Sequence, residues 1–403
     1  MKVRIHRGTN QIGGCITEIE SNCGTRIIID IGENLPKPNG EVSPEIEVEG
    51  LTTEPARYKA VFITHYHGDH IGLYSKVLKE IDIYTGKITK EIFSILQNRL
   101  SVFDKVTKEE IEIVKRFKTF SIKEPKQIND IKITPIAVDH SAFDAYMFLI
   151  ECDGKKLLHT GDFRTHGQRG KDVIPAIEKY VGKVDCLICE GTMLSRQDEK
   201  ILTEYQLQRK AEKYFKENKY NFVFCSSTNI DRIAAIHKAA INTNKMFICD
   251  EYQKDILEYI NSVSRSNLYK FNDEKNIKKT KVYYYDKNLL DTMKKRGFVM
   301  LVRANKLSRY VLKMFPQNNF IYSQWLGYLD KDSKGYKEIQ EFVPEEHFYL
   351  HTSGHATPKA LKEVIDVTDA KVVIPIHTEK KEEITKLTNR ALLLEDNEEY
   401  VVV

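Results

Sequence analysis

The sequence has no hydrophobic run that could cross a membrane, because no apolar stretch approaches the roughly 20 residues that such a helix needs. Its seven cysteines are an odd number scattered over 403 residues. They therefore do not form the dense, paired framework of a disulfide-stabilised secreted domain. The basic residues at the start are not followed by the apolar segment of a signal peptide. We expect a reduced, cytoplasmic protein that is not bound to a membrane.

The chain also lacks a strong excess of one charge, since 62 Lys and Arg residues face 58 Asp and Glu residues. The total hides an uneven distribution. Residues 195–345 hold 28 basic and 19 acidic residues, a net charge of +9, while the remainder has a net charge of −5. A basic segment favours binding of a polyanion. A solvated helix surface explains the dense basic run between Lys287 and Lys313 equally well.

The spacing of apolar residues predicts an α/β protein. In the first half, β-branched runs that end in turn residues predict strands at 26–30, 60–64, 131–138 and 145–151, with a helix at 71–80. Long Lys/Glu-rich helical stretches begin near residue 195, and a strand-like pattern returns at 346–350 and 370–375. We therefore predict a core domain at 1–195, an inserted domain at 196–345 and a return segment of the core at 346–403.

The strongest chemical signal is the segment from Thr64 to His70, which contains three histidines and one aspartate. Neutral imidazole and carboxylate oxygen are the donors that bind zinc and similar divalent ions. Four such ligands within six residues would crowd one tetrahedral site, so the spacing favours two adjacent ions. Two neighbouring metal ions are typical of hydrolytic enzymes.

Four further candidate ligands each follow a strand-like run: Asp30, His140, Asp162 and His377. The carboxyl ends of strands deliver side chains to one edge of a sheet, where ligand sites of α/β proteins are found. Taken alone, each of these residues is better explained as an ordinary polar loop residue.

The order of these motifs resembles that of the metallo-β-lactamase superfamily, and further segments resemble the β-CASP nucleases, in particular ribonuclease J. The further segments are HRGTNQIGGC at 6–15, CEGT at 189–192, SSTNIDR at 226–232, HTSGHA at 351–356 and PIH at 375–377. The resemblance implies a metallo-β-lactamase αββα sandwich with an inserted α/β β-CASP domain. It also implies two divalent metal ions, with Zn²⁺ favoured and Mn²⁺ as the alternative.

The resemblance implies a role for each matching residue. One ion is expected on His65, His67 and His140, the other on Asp69, His70 and His377, with Asp162 bridging both. Asp30 would orient ligands through hydrogen bonds. Asp69, Glu190 and His355 are expected to be catalytic, with His355 acting as the acid or the phosphate-stabilising group. Phosphate or RNA contacts are expected from Ser353, Gly354, Ser227 and Thr228.

This set of residues predicts a hydrolase that attacks a phosphodiester with a water activated by two metal ions. The resemblance associates a histidine at the position of His377 with RNA substrates, so we expect a ribonuclease, exo- or endonucleolytic, that cleaves single-stranded RNA in RNA processing or decay. Two features depart from ribonuclease J: Thr378 stands where the family often has glycine, and the sequence ends at Val403. We read the second as a missing C-terminal domain, which leaves a homodimer or a larger assembly open.

Three alternatives remain at this point. The first is a DNA-directed β-CASP nuclease, and the second is an RNA-binding scaffold with a weak catalytic site. The third is a hydrolase of small molecules, which would need neither the insertion nor the 351–356 segment. The presence of all seven candidate ligands argues against the scaffold.

Overall fold

The computed structural model describes residues 1–36, 46–196, 201–272, 281–330 and 334–403. Contacts within the chain group it into two compact units. The first unit comprises Met1–Leu35, Ser43–Lys200 and Gly354–Val403, and the second comprises Pro36–Val42 and Ile201–Ser353, as far as these segments are described. The second unit is thus largely one insertion into the sequence of the first.

The first unit contains two β-sheets. The strands of its seven-stranded sheet, in spatial order, are β19 (Glu399–Val401), β1 (Lys2–Arg7), β2 (Ile16–Glu20), β3 (Arg26–Ile29), β4 (Ala60–Phe62), β5 (Asp82–Gly86) and β6 (Lys118–Phe120). Its six-stranded sheet runs β18 (Val372–Ile376), β11 (Cys186–Glu190), β10 (Lys155–His159), β9 (Ala145–Cys152), β8 (Ile131–Val138) and β7 (Lys126–Ile128). In the first sheet, each strand from β3 to β6 pairs in parallel with the next. In the second sheet, β11 pairs in parallel with both β10 and β18.

One hydrophobic core joins the two sheets. Ile27 and Phe62 from the first sheet belong to the same buried cluster as Phe148, Leu157 and Ile374 from the second. Phe62 and Phe148 meet edge to face with ring centroids 5.8 Å apart, a favourable geometry for aromatic pairs. The sheets therefore pack face to face.

The helices of the first unit are α1 (Gly68–Ile71), α2 (Lys87–Ser101), α3 (Lys108–Lys115), α4 (Val173–Tyr180) and α11 (Pro358–Thr368). Helix α2 contacts strand β5 of the first sheet, whereas α4 and α11 pack on each other and contact strands β8 and β11 of the second. Two sheets with helices against each give the four-layer αββα sandwich that the family resemblance implied.

The second unit is built on a separate six-stranded sheet in which every pair is parallel. Its strands, in spatial order, are β14 (Val282–Tyr284), β13 (Met246–Cys249), β15 (Phe298–Val302), β12 (Tyr220–Phe224), β16 (Asn319–Tyr322) and β17 (Phe348–Tyr349). Its helices are α5 (Glu204–Glu217), α6 (Ile230–Asn242), α7 (Glu251–Val263), α8 (Leu290–Arg296), α9 (Lys306–Met314) and α10 (Lys337–Gln340). The expected α/β insertion is present.

Two sequence-based assignments are wrong. The predicted helix at 71–80 is replaced by α1 and a short 3₁₀ turn at Tyr74–Lys76. The backbone amides of Leu73 and Leu78 donate to the carbonyls of Ile31 and Leu51 instead of to helical partners. The segment after 345 does not return to the core at once, because Phe348–Tyr349 extends the sheet of the second unit. The boundary between the units falls after Ser353.

No helix within the described part of the chain is long and apolar enough to cross a membrane.

Candidate metal centre

The candidate ligands lie at the carboxyl ends of strands in the first unit. Asp30 directly follows β3, and the segment 64–70 begins two residues after β4. In the second sheet, His140 and Asp162 follow β8 and β10, and His377 directly follows β18. Parallel strands bring their carboxyl ends to the same edge of a sheet. This topology explains why residues more than 300 positions apart converge, as His377 and Asp69 do.

Asp162 is at the centre of the cluster. Its Oδ2 atom lies 3.2 Å from the Nε2 of His70, 3.7 Å from that of His377, 3.8 Å from that of His140 and 4.0 Å from that of His65. The side chain is only 2% exposed, and its Oδ1 atom has no hydrogen-bond partner among the described residues. A buried carboxylate with an unpartnered oxygen, ringed by imidazoles, is suited to a cation.

His65, His67 and His140 form the first group of donors. The Nδ1 of His67 lies 3.0 Å from the Nε2 of His65 and 3.2 Å from that of His140. Two nitrogens bound to one tetrahedral zinc ion lie about 3.4 Å apart, so these separations fit a shared ion. Burial lowers the pKa of His67 to about 4 and holds the pKa values of the other two well below the usual range. All three imidazoles are therefore neutral at pH 7, as metal ligands must be.

Asp69, His70 and His377 form the second group. The Nε2 of His377 lies 3.2 Å from Oδ2 of Asp69, and the Nε2 of His70 lies 4.0 Å from the same oxygen. Burial alone would raise the pKa of Asp69, but the neighbouring His70 and His377 lower it below its usual range. The rings of His70 and His377 stack with centroids 5.2 Å apart, which aligns their Nε2 atoms toward Asp162.

Hydrogen bonds to the Nδ1 atoms fix the ring orientation of three histidines. The Nδ1 of His70 lies 2.7 Å from Oδ2 of Asp30, and the Nδ1 of His377 lies 2.7 Å from the hydroxyl of Thr192. The Nδ1 of His140 lies 2.6 Å from the carbonyl oxygen of Gly354. Such contacts fix the tautomer and direct Nε2 inward, an arrangement typical of metal-binding histidines. This role was expected for Asp30 but not for Thr192, although Thr192 lies in the CEGT segment.

Asp30 also anchors the histidine-rich segment. Its Oδ1 accepts a hydrogen bond of 2.7 Å from the backbone amide of Thr64, and its Oδ2 accepts one of 2.8 Å from the Thr64 hydroxyl. The carboxylate is fully buried, so these bonds are shielded from water. Asp30 thus fixes both the start of the segment and the ring of His70.

Glycine permits the close approach of the N-terminal loop to this segment. A Cβ atom at Gly32 would lie 1.7 Å from the carbonyl oxygen of Asp69, and one at Gly13 would lie 2.9 Å from the Asp69 Cβ. Gly13 also adopts a positive φ of 79°, which other residues rarely tolerate. Gly13, in the 6–15 segment, and Gly32, after β3, therefore leave room for Asp69 to reach the site.

Glu190 and His355 form a pair beside the cluster. One carboxylate oxygen of Glu190 accepts hydrogen bonds from the backbone amides of Phe163 (3.0 Å) and Ala356 (3.1 Å), and the other lies 3.0 Å from the Nδ1 of His355. Burial would lower the pKa of His355, but the carboxylates of Glu190 and Asp162 outweigh it and raise this pKa to about 9. Glu190 contacts the loops of Asp162 and His355, which suits a positioning role.

A buried ion pair that was not predicted joins two loops of the site. The Nε of Arg164 lies 2.8 Å from Oδ1 of Asp139, and both side chains are fully buried. The Arg164 amide donates to the Asp139 carbonyl, and the Arg169 amide donates to Oδ2 of Asp139. Asp139 precedes His140, and Arg164 lies two residues after Asp162. The adjacency of Asp139 to a candidate ligand was the available signal.

The expected RNA-binding residues are divided between the units. Gly354 belongs to the first unit, whereas Ser353, Ser227 and Thr228 belong to the second. The hydroxyl of Ser227 accepts a hydrogen bond of 3.2 Å from the Nε2 of Gln253. Their contacts with RNA stay a prediction.

The donors fit divalent metal ions. Three groups drawn from the predicted ligands and their neighbours bring one donor atom each to within 4.8 Å of the others: His65, His67 and His140; His65, His70 and Asp162; and His140, Asp162 and His355. Nitrogen and carboxylate donors suit zinc, and imidazole also binds other first-row metals.

Comparison with known proteins gives a family match and several relatives. A family model described as a beta-lactamase superfamily domain matches residues 25–237, which is more than half of the chain. Ribonuclease J of Mycoplasma pneumoniae is 25% identical over 357 residues, covering 83% of this chain and 60% of the relative. Ribonuclease J of Mycoplasma genitalium is 25% identical over 419 residues, covering 94% of this chain and 68% of the relative. The chain thus spans about two thirds or less of the length of these relatives.

A solved structure is similar over the whole chain. It is the crystal structure of a protein of unknown function from Enterococcus faecalis V583, with a TM-score of 0.74, 20% identity and 99% coverage of both chains. This likeness supports the fold alone. The family match over residues 25–237 shows that the chain belongs to the beta-lactamase superfamily.

Proposed function

We propose that this protein is a metal-dependent ribonuclease that cleaves single-stranded RNA in cytoplasmic RNA processing or decay. The observation that carries the proposal is the buried carboxylate of Asp162, whose Oδ2 atom lies within 4.0 Å of imidazole nitrogens from four separate segments of the chain. Relatives named ribonuclease J support RNA as the substrate.

Two divalent ions, most simply Zn²⁺, would be held by the two groups of donors. His65, His67 and His140 would bind one, and Asp69, His70 and His377 the other, with Asp162 between them. When bound, the ions would supply an activated water and neutralise charge on the phosphate. The chain itself supplies the orientation: the contacts behind His70, His377 and His140 keep the imidazole lone pairs directed inward.

The departing 3′ oxygen of the RNA needs a proton, and we assign its transfer to the Nε2 of His355. The Nδ1 of the same ring faces Glu190, whose negative charge stabilises the protonated imidazole. The side chain is 22% exposed, compared with 15% for Asp69 and 2% for Asp162, so solvent and substrate can reach it. Bound cations would oppose the raised pKa, which brings it closer to neutral pH.

The second unit would supply much of the affinity for the phosphate backbone. Lys294, Lys295 and Arg296 are exposed at the end of α8, and Lys306 and Arg309 are exposed on α9. Arg303 adds little to the attraction for phosphate, because it pairs with Asp250. Exposed cations on a unit with a net positive sequence attract RNA in a salt-dependent manner. Ser227, Thr228, Ser353 and Gly354 would contact individual phosphates.

The test is cleavage of end-labelled substrates by metal-loaded protein whose metal content is measured by mass spectrometry. Single-stranded RNA with a 5′ monophosphate, the same RNA with a 5′ triphosphate, and the matching DNA should be compared. We expect RNA to be cleaved faster than DNA. A strong preference for DNA would replace the proposal with a DNA-directed nuclease, and RNA binding without cleavage would replace it with a scaffold.

Product mapping in the same experiment determines the mode of attack. Mononucleotide release restricted to the monophosphate RNA would establish a 5′ exonuclease, whereas internal products from both RNAs would establish an endonuclease. Hydrolysis of a small ester or lactam, without cleavage of either nucleic acid, would contradict the proposed substrate class.

A further inference from the structure

We propose that Cys15 is a thiolate ligand of the metal ion held by His70 and His377. The donor atoms of these three residues lie within 4.8 Å of one another, and all three side chains are buried. The inference deepens the proposed function, because it rests on a metal ion at this site. It gives the second ion a sulfur ligand that none of the sequence motifs identifies.

The backbone fixes Cys15 against the segments that carry the other ligands. Its amide donates to the carbonyl of Asp69 over 3.2 Å, and its own carbonyl accepts from the amide of Gly32 over 3.1 Å. The amide of His377 donates to the carbonyl of Gly8 over 2.7 Å. A Cβ at Gly8 would lie 3.3 Å from the Cys15 sulfur, so the thiol lies directly against the backbone that holds His377.

The second, independent observation is the imidazole of His70. Its Nε2 is buried and has no hydrogen-bond partner among the described residues. The nearest acidic atom, Oδ2 of Asp162, is 3.2 Å away, and Asp162 is itself a predicted ligand of the ion. An unpartnered buried nitrogen beside a buried thiol indicates a shared cation.

The chemistry of the donor set predicts which metals would bind. On coordination a bond forms between the Cys15 sulfur and the ion, the S–H bond breaks, and the proton passes to solvent. Thiolate is a soft ligand that favours Zn²⁺ or Co²⁺ over Mn²⁺ or Mg²⁺. The two ions would therefore differ, with nitrogen and oxygen donors for one and a sulfur donor added for the other.

Other thiols do not share this environment. Cys152, Cys186, Cys189, Cys225 and Cys249 are also buried, yet none belongs to a group of potential metal donors in the described part of the chain. Cys152 is a matched control, because it is a buried thiol in the same unit as Cys15.

The test is the optical spectrum of full-length protein stripped of metal and reloaded with Co²⁺. We expect the near-ultraviolet charge-transfer band of a thiolate bound to Co²⁺. The Cys15→Ser variant should lose the band and bind one of its two Co²⁺ ions more weakly by on the order of 100-fold or more, because the loss of an outer partner alone costs about 10–100-fold and Cys15 is a direct ligand. Cys152→Ser should keep both the band and the affinity.

A measurement on the unmodified protein covers the case in which Cys15→Ser fails to fold. X-ray absorption of the zinc-loaded protein should show a Zn–S distance of about 2.3 Å. Two bound ions without a thiolate band and without a Zn–S distance would overturn the assignment, even if RNA is cleaved. A band that depends on Cys15, without RNA cleavage, would uphold the assignment and contradict the nuclease.

Discussion

Replacing Asp30 with asparagine tests whether this residue fixes the tautomer of His70 that can bind a metal ion. The Asp30 carboxylate accepts hydrogen bonds from the Thr64 amide, the Thr64 hydroxyl and the Nδ1 of His70, at 2.7, 2.8 and 2.7 Å. Asparagine offers one oxygen and one NH₂ group in the same space. The backbone amide of Thr64 cannot rotate away, so the oxygen is expected to stay with it and the NH₂ group to face His70.

That exchange changes the tautomer of His70. Facing a donor, its Nδ1 must become an acceptor, which moves the ring proton to Nε2 and removes the lone pair directed at Asp162. Loss of an outer partner of this kind typically reduces metal affinity by about 10–100-fold. This equals about 1.4–2.7 kcal/mol at one site, since a tenfold change is about 1.4 kcal/mol.

The assay is competition for Zn²⁺ between the protein and a chromogenic chelator, with circular dichroism to verify folding. The Asp172→Asn variant is the control, because Asp172 is exposed and its side chain makes no cap hydrogen bond at the start of α4. Folded Asp30→Asn protein that binds both ions within threefold of the unmodified affinity would refute the reasoning.

Three further predictions concern other parts of the account. Arg164→Met should lower the free energy of unfolding by about 3–5 kcal/mol in urea denaturation, because it removes the guanidinium that balances the charge of the buried Asp139 carboxylate. Gly32→Ala should reduce the Zn²⁺ content of the purified protein, because the new Cβ would lie 1.7 Å from the Asp69 carbonyl oxygen. Changing residues 294–296 to glutamine should weaken RNA binding and reduce the slope of log K against log salt by ~2, as expected for three lost contacts with single-stranded RNA.

Each of these predictions has a matched control. Arg390→Met breaks a solvent-screened pair with Asp369 and should leave the free energy of unfolding nearly unchanged, so an equal loss from the two variants would contradict the first prediction. A Cβ at Gly24 meets nothing within 4 Å, although its φ of 81° strains any other residue, so Gly24→Ala is a control for strain away from the site. It should keep its metal, and equal metal contents in the two variants would contradict the second prediction. The control for the third prediction changes three exposed lysines elsewhere, which are Lys79, Lys171 and Lys183. An equal reduction of the salt slope in this variant would contradict the third prediction.

The parts of the structure that depend on local pattern could be predicted from the sequence. The strand Ile131–Val138 has the predicted bounds, and the histidine-rich segment lies at a strand end as expected. The helix predicted at 71–80 failed because tertiary hydrogen bonds took its backbone amides. The strand after 345 was assigned to the core because a short apolar run does not reveal which sheet it joins.

The partners of the candidate ligands could not be predicted in the same way. Thr192 contacts a residue 185 positions away, and Arg164 pairs with Asp139 across a loop. Cys15 approaches His377 only because the glycine-rich loop packs beside β18. Such contacts depend on the packing of strand ends, which a single sequence does not encode as a spacing.

The most direct test of the central claim is the rate at which zinc-loaded protein cleaves end-labelled single-stranded RNA, compared with its Asp162→Asn variant. The account predicts cleavage by the unmodified protein and a loss of at least about 100-fold in the variant, because the buried carboxylate between the two donor groups is replaced by a neutral amide. Equal rates in the two proteins, with the variant folded, would contradict it.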